Sequence, residues 1–277
     1  MMKISLMSYT LARGSWGKNP DLEELCRLAC SLHLDAIDWV TLYGFTPEQV
    51  AQVTADHGLK NICYTFFAPI HHAQKKAAAM DLIKRGLDIA SILGADKIML
   101  PLSGVEGQTR EFSQKLALEG LAEVVPLASA YGVTVTVEHF HGRSAPFVTS
   151  QDMEQAVTAV PGLKITYDNG NVYTSGESPA EAFTKMKEHI VHAHFKDWRV
   201  VTEGTLQGLD GRYYAAALVG EGAVEPLPCL QAMSAAGYEG YINMEYEGKE
   251  YDPKEAVVRG TKHLQGLIAS LSQERDK

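Results

Sequence analysis

Hydrophobic positions along the chain fall into two alternating textures. Short, nearly continuous apolar runs of strand length appear at KISLMS (Lys3 to Ser8), DAIDWV (Asp35 to Val40), LKNICYTF (Leu59 to Phe66) and DKIMLP (Asp96 to Pro101). Four more follow at VTVTVEHF (Val133 to Phe140), LKITYD (Leu163 to Asp168), IVHAHFKD (Ile190 to Asp197) and GYINMEYEG (Gly240 to Gly248). Between them lie amphipathic stretches such as Asp21 to Leu32, Ala77 to Gly94, Ser178 to His189 and Glu225 to Gly237, whose apolar residues recur at helical spacing. Several open with Pro or a capping residue, as at Thr46-Pro47 and Ser178-Pro179, and several close with Gly, as at His57-Gly58 and Ala236-Gly237. Strands apolar on both faces need cover on both faces, and parallel strands need a crossover helix between each pair. Eight such strand and helix units in series predict an α/β fold, a single (β/α)8 TIM barrel. The second choice, a doubly wound open sheet, would want a Gly-rich turn after its first strand, and Ser8 to Gly17 contains no G-x-G-x-x-G. Trp198 to Gly222, rich in Gly, Thr and Tyr, is expected to form one long loop, a substrate lid rather than a domain boundary.

Composition narrows the class. With 277 residues and 45% hydrophobic content the chain can bury one extensive core, so no second domain is needed. A formal charge of -9, from 25 Lys+Arg against 34 Asp+Glu with no basic cluster, argues against a nucleic-acid partner. No run approaches the ~18 apolar residues of a membrane span, and the start MMKISLMSYTLARG lacks the apolar core and cleavage site of a signal peptide. Cys26, Cys30, Cys63 and Cys229 fall within predicted helices and a strand, where they read as small buried thiols. A reducing cytoplasm is the expected location, and a homo-oligomer is compatible with the composition.

Candidate chemistry sits at the ends of the last four strands. Glu138, Asp168, His194 and Glu245 each stand at or near the C-terminal end of an apolar run. In a parallel barrel those ends form one face, so the four side chains are expected to converge at its mouth. Carboxylates gathered there without a cation would repel one another and be hard to ionise, which makes a metal-free structural role costly. Three carboxylates and an imidazole are a hard, oxygen-rich set suited to one divalent ion, Mn²⁺, Mg²⁺, Co²⁺ or Zn²⁺. His194 is preferred to His192 as the ligand because it lies nearer the mouth. His139 and His141, near Glu138, and Lys196 and Asp197, after His194, are candidates for contacting substrate or orienting a ligand. Asn171 is a candidate hydrogen-bond partner for a substrate hydroxyl, and Trp16 a candidate lid after the first strand. The Gly220 to Gly222 turn is a candidate phosphate loop.

With these elements placed, the chain resembles the xylose isomerase-like barrel superfamily of sugar phosphate isomerases and epimerases. GEGAVEPLPCLQAMSAAGYEGYINMEYEG (Gly220 to Gly248) is similar to that family's Gly-x-Gly approach and its last-strand Gly-Tyr-x-Gly and Glu, HAHFKD (His192 to Asp197) to its His-x-Lys-Asp, and YDNGN (Tyr167 to Asn171) to its Asp-x-Gly-Asn. The resemblance implies that residues 1–277 form one domain, with Glu138, Asp168, His194 and Glu245 as metal ligands and Glu138 and Glu245 as the acid/base pair. The implied partner is a small carbohydrate, a sugar or keto-sugar with or without phosphate, isomerised or epimerised through an enediolate. The implied alternatives are an inosose dehydratase-like lyase and a non-catalytic sugar-binding barrel with a structural metal. The chain departs from the ketohexose 3-epimerase branch at Asn171 and Ser144, where that branch carries His and Glu.

Overall fold

Each of the eight expected strands forms, and together they close. The structure, a computed structural model, describes residues 2–204 and 206–275. In chain order the first half holds β1 (Lys3–Met7), α1 (Ser8–Ala12), α2 (Ser15–Lys18), α3 (Leu22–Ser31), β2 (Ala36–Val40), α4 (Pro47–Asp56), β3 (Lys60–Thr65), α5 (Lys76–Leu93), β4 (Lys97–Leu100) and α6 (Arg110–Ala130). The second half holds β5 (Thr134–Glu138), α7 (Ser150–Ala159), β6 (Lys164–Asp168), α8 (Asn169–Thr174), α9 (Pro179–Met186) and β7 (Ile190–Phe195). After these come β8 (Asp197–Val201), β9 (Leu206–Gln207), β10 (Tyr213–Ala217), α10 (Pro226–Ala235), β11 (Tyr241–Met244) and α11 (Pro253–Arg275). β1 to β7 and β11 make a closed barrel, with β1 pairing in parallel with both β2 and β11.

Local chemistry sets the element boundaries. Thr46 and Gln49 form a reciprocal capping box at the start of α4, with Pro47 in its first turn. Gly94 closes α5 in the left-handed conformation, φ 69°, which a Cβ would penalise. Helix faces and the outer strand faces share one large core around Trp39, Ile83, Leu87, Phe183 and Phe195. Cys26, Cys63 and Cys229 are buried as expected, whereas Cys30 is exposed.

Inside the barrel the side chains are unusually polar. Ser5, Asp38, Thr136, Thr166, His192 and Asn243 are all buried at 1% exposure or less, and they are tied together: Thr136 and Thr166 hydroxyls meet at 2.8 Å, and Ser5 donates to Asn243. Buried polar groups are usually hydrogen-bonded, and these bonds join side chains of β1, β5, β6 and β11 into one layer beneath the mouth.

The expected lid after β7 is instead structured. β8, β10 and β9 form a three-stranded antiparallel sheet outside the barrel, packed through Trp198, Tyr214 and Val224. Interleaved glycines and a turn at Asp210-Gly211 mask that pairing in the sequence. No helix among the described residues is long and apolar enough to cross a membrane.

Candidate metal centre

Strand ends deliver the four acidic and imidazole side chains to one place. Glu138 and Asp168 are the last residues of β5 and β6, and His194 is the penultimate residue of β7. Glu245 lies one residue past β11, where its N–H donates to the Phe195 carbonyl at 2.9 Å and keeps the chain in register. His194 and His192 share one face of β7, as residues two apart do, and His192 is one layer deeper, its ring 5.2 Å from that of His194.

Distances show a compact cluster. His194 Nδ1 lies 3.3 Å from Glu138 Oε2 and 3.9 Å from Glu245 Oε2. Donor atoms of Glu138, Asp168 and His194 all fall within 4.8 Å of one another. One ion with bonds of roughly 2.0–2.5 Å can reach across such a span, so the geometry and the donor chemistry both fit a divalent cation. Glu245 joins through Lys196, whose Nζ sits 3.1 Å from Asp168 Oδ2, 3.0 Å from Glu245 Oε2 and 3.0 Å from Glu247 Oε1.

Electrostatics follow from that packing. Burial pushes the Glu245 carboxyl up to about 8, with Lys196 opposing the shift and Glu247 and Asp168 adding to it. Burial likewise pushes Asp168 up to about 6 against the pull of Lys196, helped by the charge of Glu138. Glu138 is also raised by burial, but its hydrogen bond to His194 and the charges of His194 and Lys196 win, and it stays below its ordinary value. Burial opposes ionisation of Glu247 as well, yet Lys196 holds it down at about 2. Burial disfavours protonated His194, but Asp38 and Glu138 outweigh it and raise it well above the usual imidazole value.

A short turn after β6 locks the lysine into this cluster. Asp168 caps α8 by accepting from the Asn171 N–H at 2.8 Å, and Asn169 Oδ1 accepts from the Lys196 N–H at 2.9 Å. A Cβ on Gly170 would lie 2.4 Å from Lys196 Cγ, so the approach of α8 to β7 requires glycine there.

The cluster opens into a cavity of about 120 Å³. Glu138, Phe140, His141, Asn171, His194, Lys196, Glu245 and Glu247 line it on one side, and Met7, Tyr9, Val40, Thr65, Phe67, Met99 and Pro101 on the other. Asn171 donates to the His139 carbonyl at 2.7 Å and to Asp168 at 3.1 Å, which leaves its Oδ1 without a partner.

Other residues singled out from sequence lie elsewhere. The Asp197 carboxylate accepts from the N–H groups of Trp198, Gly220, Gly222 and Val224 at 2.8 to 3.0 Å. The Gly220 to Gly222 amides that suggested a phosphate loop are therefore filled by an internal carboxylate. His139 is fully buried, edge-on to Tyr167, and burial lowers it to about 4, so it is a neutral ring outside the cavity. Trp16 is buried against Tyr43 with its indole N–H donating to the Asp21 carbonyl, and it does not line the cavity. Glu247 and Asp38 were missed. Glu247 follows Glu245 at a spacing of two and shares its face; Asp38 is the single acid inside β2.

The fold and its acidic cleft define a (β/α)8 barrel with a candidate metal centre at the C-terminal mouth. The chain belongs to the xylose isomerase-like TIM barrel family, whose profile matches residues 27–267. An inosose dehydratase of Geobacillus thermodenitrificans is 26% identical over 138 residues, 48% of this chain and 46% of that protein. The chain spans about half the length of the inosose dehydratases it matches. The structure of an L-ribulose 3-epimerase, 16% identical, superimposes with a TM-score of 0.81 over 100% of this chain and 97% of the other. That of an IOLI protein with a binding zinc atom, 18% identical, does so at 0.79 over 97% and 99%.

Proposed function

We propose that the protein is a metal-dependent enzyme that moves a proton beside the carbonyl of a polyhydroxy ketone, interconverting a sugar or keto-sugar by isomerisation or epimerisation. The observation that carries this reading is the convergence of Glu138, Asp168 and His194 donor atoms within 4.8 Å at the floor of an open cavity, with Glu245 beside them. A divalent ion held by these four residues would polarise the substrate carbonyl and acidify the adjacent C–H. Glu138, which reaches the cavity from β5, takes that proton, and Glu245, from the end of β11, returns one to the enediolate. Lys196 holds the Glu245 and Glu247 carboxylates in place. The free Asn171 Oδ1 accepts a substrate hydroxyl, and the apolar wall opposite covers the substrate's C–H face.

A second reading is dehydration of an inosose, in which the same deprotonation is followed by loss of a β-hydroxyl. It is favoured by the inosose dehydratases among the sequence relatives. A screen of keto-sugars and inososes by proton NMR in D₂O, with the Mg²⁺- and Zn²⁺-loaded protein, separates the two. Isomerisation or epimerisation puts deuterium on the carbon next to the carbonyl of a product with the same formula; dehydration removes one water. A metal-loaded protein that binds these ketones and neither exchanges nor converts any of them would instead be a sugar-binding barrel.

A further inference from the structure

We propose that Asp38, buried inside the barrel on β2, is the positioning residue for His194: its carboxylate charge faces the Nε2 edge of the ring, holds the ring proton on that nitrogen and thereby leaves Nδ1 to the acidic cluster. The inference rests on the metal-centre reading above and adds a residue to it. The His194 ring has two unlike edges. Nδ1 faces Glu138 at 3.3 Å and Glu245 at 3.9 Å, while Nε2 is buried, makes no hydrogen bond and faces Asp38 Oδ2 at 3.8 Å. An imidazole that binds a cation through one nitrogen keeps its proton on the other, and the group that accepts that proton fixes both the tautomer and the ring angle.

Asp38 is itself held from three strands. Its Oδ2 accepts from Asn243 Nδ2 on β11 at 2.6 Å and from His192 Nε2 on β7 at 2.6 Å, and Ser5 on β1 donates to Asn243 in turn. Asp38, His192, His194 and Asn243 are all 0% exposed. Packing alone does not explain a carboxylate here, since a buried charge is costly and an apolar side chain of similar size serves stability as well or better. What the carboxylate supplies, and an apolar residue cannot, is a negative charge on the far side of the His194 imidazole, fixed in place by the hydrogen bonds from His192 and Asn243.

Asp38→Asn separates these roles. The amide oxygen, in the place of Oδ2, can still accept from Asn243 and His192, but the negative charge that faces Nε2 is gone and no longer holds the ring proton on that nitrogen. Zinc is the probe, with affinity read by chelator competition and the ring by ¹⁵N NMR of His194. Wild-type protein is expected to bind zinc with the proton on Nε2. Asp38→Asn is expected to lose roughly 10–100-fold in zinc affinity and to shift the Nδ1 and Nε2 signals, with the circular dichroism of the fold retained. Should that variant not fold, Asn243→Ser, which removes one hydrogen bond into the carboxylate, is expected to give a weakening in the same direction of about 3-fold, on the reasoning that one of its supports is lost. Zinc affinity within twofold of wild type and an unchanged His194 spectrum would overturn the role of Asp38 while leaving the metal centre standing. A wild-type protein that binds no zinc, Mg²⁺ or Mn²⁺ would overturn both.

Discussion

The mouth of the barrel has two unlike halves. β5, β6, β7 and β11 end in Glu138, Asp168, His194 and Glu245, joined by Lys196 and Glu247, whereas β1 to β4 present Met7, Val40, Thr65, Met99 and Pro101 with Tyr9 and Phe67 at the rim. In the first half every charge has an opposite within about ion-pair distance, so the group can be buried at once without an unpaired ion. The second half excludes water and keeps the local dielectric low, which strengthens each interaction across the cleft. Charge concentrated on one side and apolar surface on the other suits a substrate with one face of oxygens and one of C–H bonds.

The comparison can be broken most sharply at the acidic half. Glu138→Gln or Glu245→Gln keeps an oxygen but removes the base, and each is expected to lower kcat by about 10²–10⁴-fold with a much smaller change in KM. Near-normal turnover in both variants, with no deuterium in the product, would move the chemistry elsewhere. His194→Ala should next reduce metal affinity by about 100-fold or more with the fold retained; unchanged metal content after dialysis would count against its role.

A pH series tests the same half without mutation. Glu245, raised to about 8, and His194, raised well above its usual value, both bind protons more tightly in the folded metal-free protein than in the unfolded chain. Raised groups stabilise the fold at low pH and lose that contribution as pH rises through their folded values. His139, His141 and His192 are lowered, so their opposing effect lies below about 6.5, the ordinary imidazole value. Between pH 7 and 9 the metal-free Tm is therefore expected to fall, and saturating Zn²⁺ or Mg²⁺ should flatten the slope, because metal replaces those protons. A Tm that rises over this range in chelator would contradict the clustering.

The smallest effect is expected on the apolar side. Phe67 lines the cavity yet is 61% exposed, so Phe67→Ala should leave Tm almost unchanged and raise KM by only about 3–10-fold, the scale of one partly covered aromatic contact. A loss as large as that of the glutamate variants would erase the distinction between the halves.

Much of this was legible in the residues. All eight barrel strands were readable because a buried parallel strand is a short apolar run bounded by turn signals, and helix ends such as Thr46-Pro47 and Ser178-Pro179 carry their caps in plain view. Glu138, Asp168, His194 and Glu245 stood out because strand ends carry function in this architecture. Glu247 is harder to read from sequence because it lies beyond the strand, where acids are usually solvated, although its spacing of two from Glu245 is a usable signal. The sheet of β8, β9 and β10 was hidden by glycines and by short, weakly alternating strands.

By itself the sequence determined which segments become the barrel strands and which of their ends carry the acidic and imidazole side chains, since period and burial are local properties of the chain. Only the tertiary structure decided who meets whom across it. Asp38 and His192 are 154 positions apart, and Lys196 reaches Glu247 across 51. Nothing in the local pattern distinguishes the Asp197 that fills the Gly220 to Gly222 amides from one that waits for a ligand. Hydrogen bonds and ion pairs act over about 3 to 4 Å, and closure of the barrel is what brings such distant positions within that range.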